Sequence, residues 1–322
     1  MPFATIDIGT NTAQLLVVEV QGSTLRRLHA AERFVRLGEG VDQTGEIGGP
    51  AQDRLMTALQ DHVTTAKEAG ASRIVVTGTS ALRDAANRKR VCDRIQRELG
   101  LRVEILSGDA EASWSFAAAC SAFPDLSGPC LVVDVGGGST ELISGTNPQK
   151  HHPLYPEAMT GRVSMNVGCV RLTERYFEGH PPDAEAIAQV VAVIDDALTN
   201  TSLPVGPNAT VIGTAGTATA LALVHLGPEA TWDALHGAGF TLSLADVKTW
   251  RERLVRRTVD EIRTLHPSAM DGRADVFTVG VILLEQVLDH YNHDELRVSP
   301  YELRHGLALR ELASPPSTGT SP

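Results

Sequence analysis

The sequence predicts an α/β protein built of two similar domains that face each other across a cleft. Three observations predict it. Short β-branched strand patterns alternate with helical patterns along nearly the whole chain. A glycine-rich strand–turn–strand segment occurs twice, a domain's length apart. The 322 residues, 42% of them hydrophobic, are enough for two cores.

The repeated segment is the centre of the chain. Val132–Ile143 runs Val-Val-Asp-Val-Gly-Gly-Gly-Ser-Thr-Glu-Leu-Ile. A β-branched run ends in Asp134, a tight turn follows, and a second apolar run leaves it. Ile6-Asp7-Ile8-Gly9-Thr10-Asn11-Thr12 aligns without gaps on Val133–Ser139. Beyond the turn, Gln14 falls opposite Glu141 and Leu15 opposite Leu142. Glycine lets a ligand approach the backbone N–H groups closely. Gly9, Thr10, Asn11 and Thr12 would form one phosphate cradle, and Gly136, Gly137, Gly138, Ser139 and Thr140 the other. Asp134, at the mouth of its strand, is placed to hold a metal ion or a water. The plain alternative is a pair of ordinary β-hairpins. A P-loop is excluded because its lysine is missing, and a dinucleotide fingerprint because Glu141 replaces its third glycine.

The formal charge of −11 argues against a nucleic-acid binder, which needs clustered Lys and Arg. An anion site here must be built locally, from glycine turns, selected arginines and cations. The four cysteines are scattered without a C-x-x-C, so neither zinc nor a disulfide framework is indicated. The first 20 residues lack a basic leader and already belong to the fold. No apolar run reaches about 18 residues, so no membrane span is expected. A cytoplasmic setting follows.

In order along the chain, residues 3–20 and 24–36 form an opening meander with a turn at Gln21-Gly22. Residues 36–46 are a polar, glycine-rich loop, either plain surface or a rim of the site. A helix runs from Pro50 to about Gly70, with Leu55, Leu59, Val63 and Ala66 on one face. Arg73–Thr77 is a short buried strand. The next helix opens at Thr79–Asp84, with Ser80 as its cap, and closes at Gly100. Arg83 in a first helical turn opposes the macrodipole. Either an anion binds there, or Arg83 simply pairs with Asp84. Arg88-Lys89-Arg90 is a solvated face. Leu101–Leu106 is a strand, and Ser107 starts a helix that reaches about Ala122. Asp109 and Glu111 in its first turn either stabilise that end or serve the site.

Phe123–Pro129 is rich in breakers and marks the domain boundary. The division expected is 1–123, 124–312 and a disordered tail from 313 to 322. After the second hairpin, residues 146–156 form a polar connection. Val163–Val170 is a strand leading through Gly168 into a helix at Arg171–Phe177. Asp183 caps a helix that ends at Thr199. Ala209–Thr217 is again strand into Gly/Thr turn into helix, read equally as close packing or as a third anion contact. Long helices follow at about 244–265 and 273–291, the first carrying Arg251, Arg253, Arg256 and Arg257 as a solvated face. A strand at Leu296–Ser299 and a helix at Tyr301–Leu312 complete the chain.

The ordered set of segments resembles the exopolyphosphatase/guanosine pentaphosphate phosphohydrolase (Ppx/GppA) family of the actin-like ATPase superfamily. The segments are Ile6–Thr12, Thr79–Arg83, Ser107-Gly108 with Glu111-Ala112, Asp134–Glu141, Gly213–Thr217, Arg273–Asp275, and Val298-Ser299 with Leu303–Gly306. The resemblance implies two actin-like (ribonuclease H-like) α/β domains with the active site between them. It implies hydrolysis of a terminal phosphoanhydride with Mg²⁺ or Mn²⁺. Glu111 resembles the family's water-activating base and Arg83 its phosphate-binding arginine. Asp134 and Glu141 fall where the family orders metal or lytic water, and Asp7 completes the expected metal set. The substrate implied is inorganic polyphosphate, alternatively guanosine pentaphosphate, and the assembly expected is a homodimer with no nucleic-acid partner. An actin-like ATP-binding regulator or kinase is the reading from another class. Two departures stand out. Asp109-Ala110-Glu111-Ala112-Ser113 has one carboxylate fewer than the usual segment, and the C-terminal HD-type domain of long members is missing from these residues.

Overall fold

The computed structural model describes residues 1–21, 24–123, 126–146, 159–235 and 240–313. The expected turn at Gly22, the proline-rich connection after Thr146, part of the breaker segment and the tail lie outside the described residues.

The opening meander is β1 (Phe3–Ile8), β2 (Thr12–Gln21) and β3 (Thr24–Phe34). Every residue of β1 is buried, the polar Thr5 and Asp7 included, as expected of a central strand covered on both faces. A short α1 (Val41–Thr44) and the long α2 (Gly49–Glu68) lead to β4 (Ile74–Gly78). The helix expected from Thr79 to Gly100 is two helices, α3 (Ser80–Asp84) and α4 (Arg88–Leu99). Ser80 does not cap: Thr79 holds the cap position, without a side-chain bond. β5 (Val103–Ile105) and α5 (Gly108–Ser121) follow. Ser107 caps α5 by accepting from the Ala110 N–H.

The second hairpin is β6 (Pro129–Val135) and β7 (Thr140–Thr146), followed by β8 (Met159–Met165) and α6 (Cys169–Tyr176). Asp183 caps α7 (Ala184–Thr199), as its sequence requires. β9 (Thr210–Thr214), α8 (Ala215–Leu226), β10 (Phe240–Ser243) and α9 (Leu244–Leu254) come next. The long helix expected over 244–265 is broken after Leu254, because Thr258 and Glu261 form a capping box that starts α10 (Val259–Arg263). Arg251 is also not simply solvated, since it pairs with the buried Glu285 at 3.0 Å. α11 (Phe277–Tyr291), β11 (Glu295–Val298) and α12 (Leu303–Ala313) end the described chain.

Two sheets result, in the orders β3-β2-β1-β4-β5 and β10-β11-β9-β6-β7-β8. From its other end, the second sheet runs β8-β7-β6-β9-β11, the order of the first with β10 added at the edge. Pairing directions also match. The first three strands of each set are antiparallel, and the central strand pairs in parallel with the next, β1 with β4 and β6 with β9. The duplicated hairpin is therefore part of a duplicated sheet.

Packing does not follow chain order throughout. α5 buries Ala112, Phe116 and Ala119 against Cys130, Val132, Ile143 and Ile212 of the second sheet. α12 returns to the first sheet, where Ala308 meets Phe3, Leu16 and Val18. Gly306 lets α12 cross α5 closely, because a Cβ there would collide with the Trp114 backbone.

Candidate active site

Each glycine turn leaves the C-terminal end of the central strand of its sheet. In the first, Gly9 N–H donates to Thr12 carbonyl at 2.8 Å; in the second, Gly136 N–H donates to Ser139 carbonyl at 3.0 Å. These are equivalent bonds at aligned positions. The strand register is equivalent too, with Asp7 opposite Gln14 and Asp134 opposite Glu141.

The loops behind the turns aim them. Gly136 carbonyl accepts from Cys169 N–H at 3.0 Å, and Gly137 carbonyl from Val170 and Arg171 N–H at 2.9 and 3.1 Å. Gly138 carbonyl accepts from Arg171 Nε at 2.8 Å. Three successive carbonyls thus point at the start of α6. In a planar trans peptide the next N–H points the opposite way. The N–H groups of Gly137, Gly138 and Ser139 therefore face away from α6, towards the cleft that these residues line. Gly168 is needed because a Cβ would strike the Gly137 carbonyl. The polar loop after Arg36 does the same for the first turn. Val35 and Arg36 N–H both donate to Asn11 carbonyl at 2.9 Å, and Gly38 N–H donates to Thr10 carbonyl at 2.9 Å.

The cleft between the turns holds about 840 Å³ of empty space. Asp7, Gly9–Thr12, Glu111, Asp134, Gly136–Ser139 and Glu141 all line it. Two expected residues stand elsewhere. Thr140 is buried, and its hydroxyl donates to Val167 carbonyl at 2.6 Å, so it braces the turn from behind. Arg83 stands beside Glu111, donating to its Oε2 at 2.7 Å, with Asp84 farther off at 3.7 Å. The Gly/Thr turn at Ala215–Thr217 reaches the cleft, and both of its readings describe it in part. Gly213 packs tightly on Ala218 and Leu296, whereas Gly216 makes room for Arg273. Ala215 sits at φ +61°, a left-handed backbone that costs a non-glycine residue about 1–2 kcal/mol.

Sequence reasoning alone missed a second layer. Gln14 donates to Glu32 at 2.8 Å and to Glu302 at 3.1 Å. Arg273 pairs with Glu32 at 2.6 Å and lies over the Phe34 ring, and its buried Nε has no partner. The readable signal was Gln14 itself, a polar residue inside an apolar strand.

The site is crowded with carboxylates. Burial pushes Asp7 well up, and Glu111, Glu302 and Asp134 push it further. Burial raises Asp134 to about 7, with Glu111 adding to the rise. Glu141 is driven up by burial and by the same two neighbours. Burial raises Glu111 as well, against the pull of Arg83. Burial also presses Glu32 upward, but Arg273 and the Gln14 amide outweigh it and hold its carboxyl low. Repulsion of this kind invites cations. Asp7 Oδ1 is buried without a partner, and every donor in the group is a hard oxygen. Among the described residues no three side chains form a closed metal cage. A hard divalent cation can still be held by one or two carboxylates, with water and substrate phosphate completing its shell.

Comparison with known proteins gives a consistent result. The model of the Ppx/GppA phosphatase family matches residues 16–314. Exopolyphosphatase 2 of Mycobacterium tuberculosis is 33% identical over 325 residues, covering 95% of this chain and 97% of that one. The crystal structure of an exopolyphosphatase from Cytophaga hutchinsonii superposes with a TM-score of 0.84 at 29% identity, covering 97% and 98%. The Ppx/GppA family member of Aquifex aeolicus superposes with a TM-score of 0.78 at 26% identity, covering 97% of each chain.

Proposed function

The chain belongs to the Ppx/GppA phosphatase family, and from that premise we propose that its cleft removes terminal orthophosphate from inorganic polyphosphate. The observation that carries the reading is the pair of matching glycine turns, braced from behind, with Glu111 buried between them. Turn N–H groups that face the cleft can stabilise the charge that develops on a transferred phosphoryl group.

In this reading one or two of Asp7, Asp134 and Glu141 would hold a divalent cation, Mg²⁺ or Mn²⁺, which would neutralise phosphate charge, with water and phosphate completing its shell. The turn residues Gly9–Thr12 and Gly136–Ser139 grip the terminal phosphate. Glu111 accepts a hydrogen bond from a water in line with the scissile bond. The water oxygen attacks phosphorus, its proton passes to the Glu111 carboxylate, and the bridging oxygen leaves with the shortened chain. Burial raises the basicity of Glu111, which suits a general base. Arg83 keeps that carboxylate oriented and partly balanced. The unpartnered Nε of Arg273 offers a further anion contact.

One observation favours guanosine pentaphosphate as a second substrate. A cavity with about 1380 Å³ of empty space adjoins the cleft and is lined by Arg27, Phe34, Trp232 and Arg304 among others. A nucleobase there would meet chiefly Trp232, since Arg273 covers the Phe34 ring and Glu302 and the Leu15 and Ala31 carbonyls engage the Arg304 guanidinium.

Phosphate release from tripolyphosphate, long polyphosphate, guanosine pentaphosphate and ATP, measured side by side with Mg²⁺ and with EDTA, tests the proposal. Release from polyphosphate that EDTA abolishes is the expected result. ATP bound tightly, with no phosphate released from either polyphosphate, would favour an ATP-binding regulator instead. A homodimer in the cytoplasm completes the proposal and is checked by sedimentation and fractionation.

A further inference from the structure

We propose that Arg171 is a positioning residue that ties closure of the cleft to the aim of the second glycine turn. The inference deepens the hydrolase reading and rests on it for its turnover measurement. Its binding measurement stands on geometry alone.

Arg171 lies in the first turn of α6, with 20% of its side chain exposed. Its Nε donates to Gly138 carbonyl at 2.8 Å. Its Nη1 donates to Asp42, and its Nη2 lies 3.7 Å from Asp84. Asp42 belongs to α1 and Asp84 ends α3, both on the opposite wall. One guanidinium therefore holds its own turn with one edge and the facing wall with the other. Only arginine presents charged donors in a fixed fork that serves both at once. The bond to Gly138 also sets the Gly138–Ser139 peptide, and with it the direction of the Ser139 N–H.

The contact continues beyond Asp84. Asp84 lies 3.7 Å from Arg83 Nε, and Arg83 donates to Glu111 at 2.7 Å. A charged row thus runs from the Gly138 carbonyl through Arg171, Asp84 and Arg83 to Glu111. The walls meet closely here, since a Cβ on Gly138 would stand 2.6 Å from Ser80 Oγ and 3.0 Å from Thr10 Oγ1. α5 packs on the second sheet, so parting the walls cuts the row twice, at Arg171 and between Arg83 and Glu111. Turn and base are then aligned by one set of contacts only when the cleft is shut, which is how closure completes a catalytic site.

Tripolyphosphate turnover, its Kd by calorimetry with Mg²⁺, and Tm are to be measured on the wild type and on four variants. These are Arg171→Gln, Arg171→Lys, Asp42→Asn and the double variant Arg171→Gln/Asp42→Asn. Arg171→Gln should lower kcat about 10- to 100-fold, the loss of one or two charge-assisted bonds. Its Kd should weaken by less, about three- to ten-fold, because the aim of the turn matters most in the transition state. Asp42→Asn should show a smaller loss of the same kind. The double variant should lose much less than the product of the two single losses, because Asp42 acts mainly through Arg171, with its Oδ2 also holding Arg175 at 3.0 Å. Arg171→Lys should recover part of the loss, one ammonium reaching one partner. A merely structural arginine would move Tm and leave the kcat-to-Kd split and the non-additivity absent. Folded Arg171→Gln within about two-fold of wild-type kcat, or losses that multiply in the double variant, would overturn the proposal. If Arg171→Gln does not fold, Asp42→Asn decides alone, and wild-type kcat in it is the negative result. A wild type that does not turn over tripolyphosphate refutes the hydrolase reading; weakened, non-additive binding in the variants would still support the role of Arg171, and unchanged binding would end it.

Discussion

Glu111 and Arg83 carry the sharpest residue-scale expectations. Glu111→Gln keeps shape and hydrogen bonding but cannot take a proton, so kcat should fall about 10²–10⁴-fold. Tripolyphosphate affinity should be retained, because both turns remain. Single-turnover rates and calorimetry on one variant check this; a near-wild-type rate would remove Glu111 from the chemistry. Arg83→Ala should cost on the order of 1.5–3 kcal/mol in kcat/KM. It should also shift the acidic limb of the pH–rate profile upward. Arg83 holds the Glu111 pKa down, so its loss lets Glu111 keep its proton to higher pH. An unmoved acidic limb would show that Arg83 does not act through Glu111. Each residue was legible alone from its motif. Their pairing was not, because it joins α3 to α5 across 28 residues with no local pattern to show it. The bond of Gln14 to Glu302 was illegible for the same reason, its partners lying 288 residues apart.

Elements were legible where one physical signal dominated. The β-branched runs of β1, β6 and β9 and the caps of α5 and α7 could be read directly. β10 alternates Phe-Thr-Leu-Ser over only four residues, too short a run to stand out from a loop, and the break before α10 was readable only from Thr258 and Glu261. The support of the second turn by α6 predicts that Gly168→Ala lowers both kcat/KM and Tm. Its new Cβ meets the Gly137 carbonyl, and overpacking of this kind costs about 1–3 kcal/mol. Gly179→Ala, with open space at its Cβ, is the control and should stay within about 0.5 kcal/mol of wild type. Equal effects of the two would deny α6 its role. α2 carries a pH-sensitive anchor. His62 is buried, its Nε2 bonds Ala13 carbonyl at 2.9 Å, and burial lowers its pKa. The unfolded chain therefore binds a proton near pH 6.5 that the folded chain refuses. Stability contributed by neutral His62 is present above that pH and is lost as pH falls below it. Replacing His62 by Gln should flatten the Tm-versus-pH curve below about pH 6.5. The same slope in wild type and variant would assign the effect to other groups.

At the scale of the whole molecule, charge and symmetry set the expectations. With a formal charge of −11, the protein repels a polyanion outside the cleft. Short polyphosphates should be preferred over long ones. Moderate salt should raise kcat/KM for long chains more than for tripolyphosphate, since screening acts on the outer field first. Processive, fastest degradation of long chains at low salt would contradict this. The two-fold likeness of the sheets was legible, because the hairpin repeat begins each one. The crossing of α5 to the second sheet and of α12 to the first was not. Ala112, Phe116 and Ala119 mark an apolar face, but nothing in that face names the sheet it will cover.

The return of α12 has a consequence for how the chain is made. Synthesis delivers β1 and β2 well before α12. Until then Phe3, Leu16 and Val18 lack the cover that Ala308 gives them, and Leu106 lacks Leu303 and Leu307. The first sheet can form on the ribosome, but one of its faces stays wet until α12 has emerged. A segment made early is thus sealed late, and its exposed apolar face is the natural target for holding chaperones during that interval.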